Sequence, residues 1–255
     1  MPRSPDTVLS LMATNNDSDH DMNNILSFNS PNYEDVIKYS KSCYLTEDKL
    51  GHFLHSDNKA SLNIMHINCR SLNKKFNSIT NLLSRTNCTF TAIGLSETWL
   101  TPITQDMFNI DGYKFVCRSR SNKIGGGVGL FIDATYNYQV RIDLSFMKEY
   151  IETIFIEISQ ENSANIVVGC IYRPPNSDVA LFNADVLLLL DILSKNRKIL
   201  TFIMGDFNLD LLNSSTHAAT NDFLNNLMSH SFLPTIHHPT RITNISSTLL
   251  DNIFK

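Results

Sequence analysis

The chain has 255 residues, 42% hydrophobic and 9% aromatic, which suits one large α/β or all-β domain or two small ones and excludes global disorder. A formal net charge of −4 excludes attachment to nucleic acid through bulk positive charge, although a local basic cluster remains compatible with it.

Residues 1–60 are rich in Asn, Asp and Ser and carry only weak apolar clusters, so a polar, largely disordered leader is expected there. A short helix over Tyr33 to Ser42 is its one candidate element, and His20, His52 and His55 have no metal-ligand context. The folded domain is expected over residues 61–255.

Leu62 to Ile67 reads as the first core strand, ending at Asn68. Phe76, Ile79, Leu82 and Leu83 then recur at helical spacing. A strand over Thr91 to Leu95 runs into Ser96 and Glu97, which places a carboxylate just past an apolar run. Tyr113 to Cys117 and Val128 to Ile132 read as a hairpin or meander. Between them lie Arg118, Arg120 and Lys123, then Gly125 to Gly127. The glycine run lacks a GK[ST] ending and opens onto a strand, so nucleotide cradling is not expected. It reads either as a flexible basic loop at the mouth of a site or as a solvated hairpin loop.

Tyr150 to Ile158 alternates, with Ile154, Ile156 and Ile158 on one face, the pattern of a half-buried strand. Asn165 to Tyr172 is another strand, stopped by Arg173-Pro174-Pro175. Asp178 can cap a helix carrying Leu181, Val186, Leu189, Leu190 and Leu193. The run from Ile199 to Met204 reads as a strand buried on both faces. It is broken by Gly205, with Asp206 and Asn208 projecting together from its end. A helix is expected over Asn221 to Ser229, a loop over Phe232 to Thr243, and a last apolar run over Ile245 to Phe254 that contains Asp251.

Five cysteines with no CxxC pair argue against structural zinc and a disulfide framework. No signal peptide is apparent, and the longest apolar run, Val186 to Leu190, is far too short for a bilayer. The expectation is a soluble nuclear or cytoplasmic protein with no membrane partner.

Asn68, Glu97, Tyr172, Asp206, Asn208 and Asp251 all stand at or beside the ends of apolar runs. In open α/β sheets the chemistry gathers at strand ends. A set of oxygen donors without clustered Cys or His suits a hard cation such as Mg²⁺. With amide donors, a phenol and an Asp able to orient water, these are parts for phosphodiester hydrolysis.

HINCRSLNKKF, GLSETWL, GGGVGLFI, YRPP, MGDFN and PTRIT…STLLDNIF follow one another in order between Leu62 and Phe254. In this the chain resembles the endonuclease/exonuclease/phosphatase superfamily, above all its branch in LINE-type (non-LTR) retrotransposons. The resemblance implies a four-layered α/β sandwich, two packed β-sheets flanked by helices. It also implies Mg²⁺ (or Mn²⁺) as cofactor and DNA as target; no obligate protein partner is evident from the sequence.

By the same resemblance Glu97 would ligate the metal with help from Asn68, and Tyr172 would donate its phenol to the developing phosphorane. Asp206 would orient the attacking water, Asn208 would hold a non-bridging oxygen, and Asp251 would set the tautomer of a catalytic histidine. Arg118, Arg120, Lys123, Arg173 and Arg241 are candidate DNA contacts. Two departures are expected to matter. The family's terminal Ser-Asp-His strand does not follow Asp251, so the domain is expected to lack its last strand and to be weak or inactive. His237 and His238 are the nearest histidines in sequence, and no reverse transcriptase follows. The alternatives are a catalytically dead remnant that retains DNA or metal binding, and a phosphatase of the same superfamily.

Overall fold

The computed structural model describes residues 8–14, 42–55, 62–121, 123–161, 163–196 and 198–255. Two five-stranded sheets pack face to face, with helices on both outer sides. In chain order the first sheet takes β1 (Val8–Thr14), β2 (Leu62–Asn68), β3 (Ala92–Ser96), β4 (Tyr113–Arg118) and β5 (Val128–Asp133). These lie side by side as β1-β2-β3-β5-β4. The second sheet takes β6 (Asn137–Val140), β7 (Glu152–Ser159), β8 (Ile166–Tyr172), β9 (Leu200–Asp206) and β12 (Asp251–Phe254), in the order β12-β9-β8-β7-β6. A small hairpin, β10 (Arg241–Ile242) and β11 (Ser247–Thr248), stands before β12.

Three apolar clusters fill the spaces between the four layers. Period-2 alternation sends Ile64, Val128, Leu130, Ile154, Ile156, Val168, Phe202 and Met204 into the space between the sheets. The alternate residues Met65, Ile67, Ile93, Leu95 and Phe131 face outward onto α1 (Glu47–His55) and α2 (Leu72–Thr86). On the far side Phe155, Val167, Ile171 and Ile203 meet α3 (Val179–Leu193) and α4 (Ala218–Ser229). This is the four-layered arrangement expected from the motifs.

Several expectations need correction. The strand over Tyr150 to Ile158 is buried on both faces rather than half-buried, because α3 and α4 cover the Phe155 side. Leu181 is not on the inner face of α3 but 49% exposed, while Phe182 and Asp185 turn inward. Residues 1–60 supply β1, which pairs antiparallel with β2 from Val8↔Asn68 to Thr14↔Leu62. They also supply α1, whose Leu50 and Leu54 join the core over α2. The helix expected over Tyr33 to Ser42 lies outside the described residues apart from Ser42. The loop expected over Phe232 to Thr243 contains β10 and a bridge from Pro234 to Phe254.

Helix starts follow local chemistry. Asp178 caps α3, accepting from the backbone N–H groups of Ala180 and Leu181. α4 begins at Ala218, ahead of its apolar stripe, because His217 accepts from Thr220 N–H. α2 has no side-chain cap at Ser71; Ser71 and Leu72 instead donate their backbone N–H groups to the carbonyls of Glu97 and Thr98. That exchange anchors the loop after β3 to the start of α2.

Candidate active site

Strand register brings the candidate residues together. Across the second sheet Glu152, Tyr172, Asp206 and Asp251 stand side by side at the ends of β7, β8, β9 and β12. Across the first sheet Asn68, Ser96, Val128 and Arg118 form the matching row. The two rows meet where Asn68 Nδ2 donates to Glu97 Oε1 at 3.1 Å and to Asp206 Oδ2 at 2.6 Å. One amide therefore ties carboxylates from both sheets, and it lies 138 positions from Asp206 in the chain.

Glu97 sits at φ 54°, a left-handed conformation that turns its side chain out of the strand line. The indole of Trp99 donates to Glu97 Oε2 at 3.3 Å. Asp206 is 3% exposed, and its Oδ1 accepts from the Asn208 backbone N–H at 3.0 Å. Burial pushes Asp206 up to about 7, helped by the charge of Glu97 and opposed by donors from Asn208 and Asn68. Asp251 is raised well above the usual carboxylate range, first by burial and then by the charge of Asp206. Its Oδ2 accepts from Thr240 at 3.0 Å. Burial likewise raises the Tyr172 phenol, and the charge of Glu97 adds to it.

Such a group of carboxylates, each raising the next, is relieved by a cation. The donors are oxygens of carboxylate and amide type, the chemistry of a hard divalent ion. Among the described residues no three His, Cys, Asp or Glu side chains are placed to hold a metal together.

The candidate basic residues divide into two groups. Arg118 is half-buried, whereas Lys123 and Arg241 are exposed. Arg120 and Arg173 are used internally. Arg120 pairs with the buried carboxylate of Glu152. Arg173 is 5% exposed, and its guanidinium donates to the carbonyls of Phe207 at 2.8 Å, Asn208 at 2.7 Å and Ser177 at 2.9 Å. Asn208 returns the bond through Nδ2 to the Arg173 carbonyl at 2.8 Å. Both guanidinium groups are bonded within the frame of the site. The glycine turn before β5 is bonded to the segment after β3, with Gly126 O and Gly127 O accepting from Trp99 and Thr98 N–H.

Two residues escaped the sequence reading. His66 is fully buried, with Nδ1 3.6 Å from Asp251 Oδ1 and Nε2 3.2 Å from Ser96 Oγ. Burial lowers it to about 3, so the ring is neutral. Its position two residues before Asn68, on the same strand face, was the available signal. His237 and His238 instead meet the segment around Ser42 and Tyr44, with His238 stacked on Tyr44. The other is Glu152, which opens β7 in register with Tyr172.

The Endonuclease/Exonuclease/phosphatase family model matches residues 61–254. The chain belongs to this family. Membership makes it, by class, a hydrolase of phosphate esters. No curated protein matches the sequence. Among solved structures, the endonuclease domain of TRAS1, a telomere-specific non-LTR retrotransposon, aligns with a TM-score of 0.59 at 11% identity. That alignment covers 75% of this chain and 82% of the other. The AP endonuclease LMAP from Leishmania major aligns with a TM-score of 0.55 at 11% identity, over 72% of this chain and 74% of the other. These likenesses establish the endonuclease/exonuclease/phosphatase fold. Among the described residues no helix is long and apolar enough to cross a membrane.

Proposed function

We propose that this endonuclease/exonuclease/phosphatase domain is a divalent-metal-dependent DNA endonuclease of the non-LTR retrotransposon type. The observation that carries this reading is the junction of Asn68, Glu97 and Asp206, where one amide bridges carboxylates from both sheets at a common strand end. Glu97, with Asn68 beside it, would hold Mg²⁺ or Mn²⁺. When bound, the ion supplies charge neutralisation at the phosphate.

The remaining roles belong to the chain's own side chains. Asp206, poised near neutrality and fixed by the Asn208 N–H, orients the attacking water and accepts its proton. Tyr172 keeps its phenolic proton at neutral pH and so acts as a donor toward the developing phosphorane oxygen. Asn208 steadies a non-bridging oxygen, and its amide is itself aligned by the Arg173 carbonyl. Asp251 stands beside Asp206 in the same register row, its Oδ2 accepting from Thr240 and its Oδ1 3.6 Å from His66 Nδ1. DNA as substrate is supported by the SETWL, YRPP and PTRIT signatures and by three basic side chains around the site. Lys123 acts electrostatically on Glu152 and Arg241 on Asp251, while Arg118 ends the row that contains Ser96.

The test compares two substrates, supercoiled plasmid with Mg²⁺ and a soluble phosphomonoester with Mg²⁺. Nicking that EDTA abolishes supports the endonuclease reading. Phosphomonoester turnover without nicking replaces it with a phosphatase, and DNA binding without either turnover replaces it with a binding remnant.

A further inference from the structure

Glu152 is a carboxylate with 0% exposure on a sheet that contains none of the proposed metal ligands. Burying an anion is costly unless its oxygens are satisfied, and here both are. Oε1 accepts from the Arg120 guanidinium, and Oε2 accepts from the Gly127 backbone N–H at 2.5 Å. Both donors belong to the loop between β4 and β5 in the opposite sheet. That loop in turn grips the segment carrying Glu97: Trp99 N–H donates to Gly126 O at 2.8 Å and Thr98 N–H to Gly127 O at 3.2 Å.

The glycines are required by this geometry. Gly126 and Gly127 have φ of 65° and 88°. A Cβ on Gly126 would run into the Arg120 guanidinium, and one on Gly127 would meet Thr98 Oγ1. On its other side the Glu97 segment is held by Ser71 N–H to Glu97 O at 2.8 Å and Leu72 N–H to Thr98 O at 2.9 Å. Glu97 and Trp99 both keep φ of 54° between these two grips, a conformation non-glycine residues hold only when their surroundings impose it.

We propose that Glu152 is a positioning residue: through Arg120 and Gly127 it clamps the glycine turn against Thr98 and Trp99 and so fixes the direction in which Glu97 presents its carboxylate. In this arrangement Arg120 is the counter-ion of the clamp and not a contact for nucleic acid. The consequence for metal binding rests on the proposed role of Glu97; the clamp itself does not.

Trp99 is the chain's single tryptophan, so its fluorescence reports on the clamped segment without any need for catalysis. The variants are Glu152→Gln, which is nearly isosteric but turns an amide N–H₂ toward Arg120 or Gly127, and Arg120→Lys, which keeps the charge but loses the forked geometry. In samples shown to be folded by far-UV circular dichroism, both variants should increase acrylamide quenching of Trp99 and shift its emission to the red. Glu152→Gln should also raise the Mg²⁺ concentration for half-maximal plasmid nicking by about 10–100-fold, the usual effect of losing a group that orients a ligand. A merely structural role would lower stability while leaving that Mg²⁺ midpoint in place. Unchanged Trp99 quenching in both folded variants overturns the clamp. If the unsubstituted chain does not nick, the functional reading fails, and Trp99 quenching still decides the clamp.

Discussion

Arg173 offers a sharp test, because the sequence and the structure assign it different work. Following a strand and preceding two prolines, it resembles an exposed basic residue available to a phosphate. In the structure it is 5% exposed and its guanidinium bonds to three backbone carbonyls and to Ser177 Oγ. Replacing it with Met keeps much of the aliphatic volume and removes every donor. Phe207, whose carbonyl is one of the three, is fully buried, and leaving a buried acceptor unpaired costs about 1–3 kcal/mol. The carbonyls of Asn208 and Ser177 lie closer to solvent and recover part of their bonding from water, so the loss should total about 2–4 kcal/mol.

With a denaturant slope of about 3 kcal/mol per molar urea, reasonable for a domain of this size, the midpoint should fall by about 1 M. Equilibrium urea unfolding followed by circular dichroism measures it. Arg173→Lys should fall between the two, since one ammonium cannot span the three carbonyls. An unchanged midpoint for Arg173→Met would refute the assignment. If, in addition, the slope of log K against log salt for DNA binding dropped by about 0.9, the phosphate-contact reading would replace it.

Three further outcomes follow from the same structure. His66 stays neutral when folded until pH nears 3, whereas an exposed histidine takes up a proton near 6.5. Its contribution is therefore complete above pH 6.5 and lost as pH falls toward 3, while the raised carboxyls of Asp206 and Asp251 act in the opposite sense. His66→Gln should shift the slope of stability against pH by about 1.4 kcal/mol per unit between roughly pH 4 and 6, measured by urea unfolding at several pH values; parallel slopes contradict it. A Cβ on Gly205 would lie 1.8 Å from the Ile171 carbonyl oxygen, so Gly205→Ala should cost about 1–3 kcal/mol or more by thermal melting, because backbone cannot swing aside as a side chain can. Asn68→Asp replaces the bridging donor with another carboxylate, drives Asp206 further upward and should lower plasmid nicking at neutral pH by about 10²-fold; a rate near that of the unsubstituted chain would rule out the bridging role.

The strands were legible because a run such as Ile199 to Met204, apolar on both faces, has few other ways to be buried. The strand-end residues were legible for a related reason. Asn68, Glu97, Tyr172, Asp206 and Asp251 each stand where an apolar run meets polar sequence, and register carries them to one end of the sandwich. What periodicity could not show was which face a neighbouring layer covers. The Phe155 side of β7 looks solvent-facing until α3 and α4, later in the chain, close over it. Nor does spacing reveal that a positive residue is already partnered. Arg120 and Glu152 are 32 positions apart and come together only when the two sheets pack. His66 was hidden by its strand, since a histidine among Ile and Met reads as core until Asp251 arrives from the other end of the chain.

The central claim is that the junction of Asn68, Glu97 and Asp206 hydrolyses DNA phosphodiesters with a divalent ion. Its most direct test is single-turnover cleavage of an end-labelled duplex against Mg²⁺ concentration, for the unsubstituted chain, Glu97→Gln and Asp206→Ala, each confirmed to be folded. The account predicts cleavage by the unsubstituted chain, a Mg²⁺ midpoint moved upward in Glu97→Gln, and a rate lowered at every Mg²⁺ concentration in Asp206→Ala. Cleavage that persists unchanged in both variants, or a folded chain that cuts at no Mg²⁺ concentration, would contradict it.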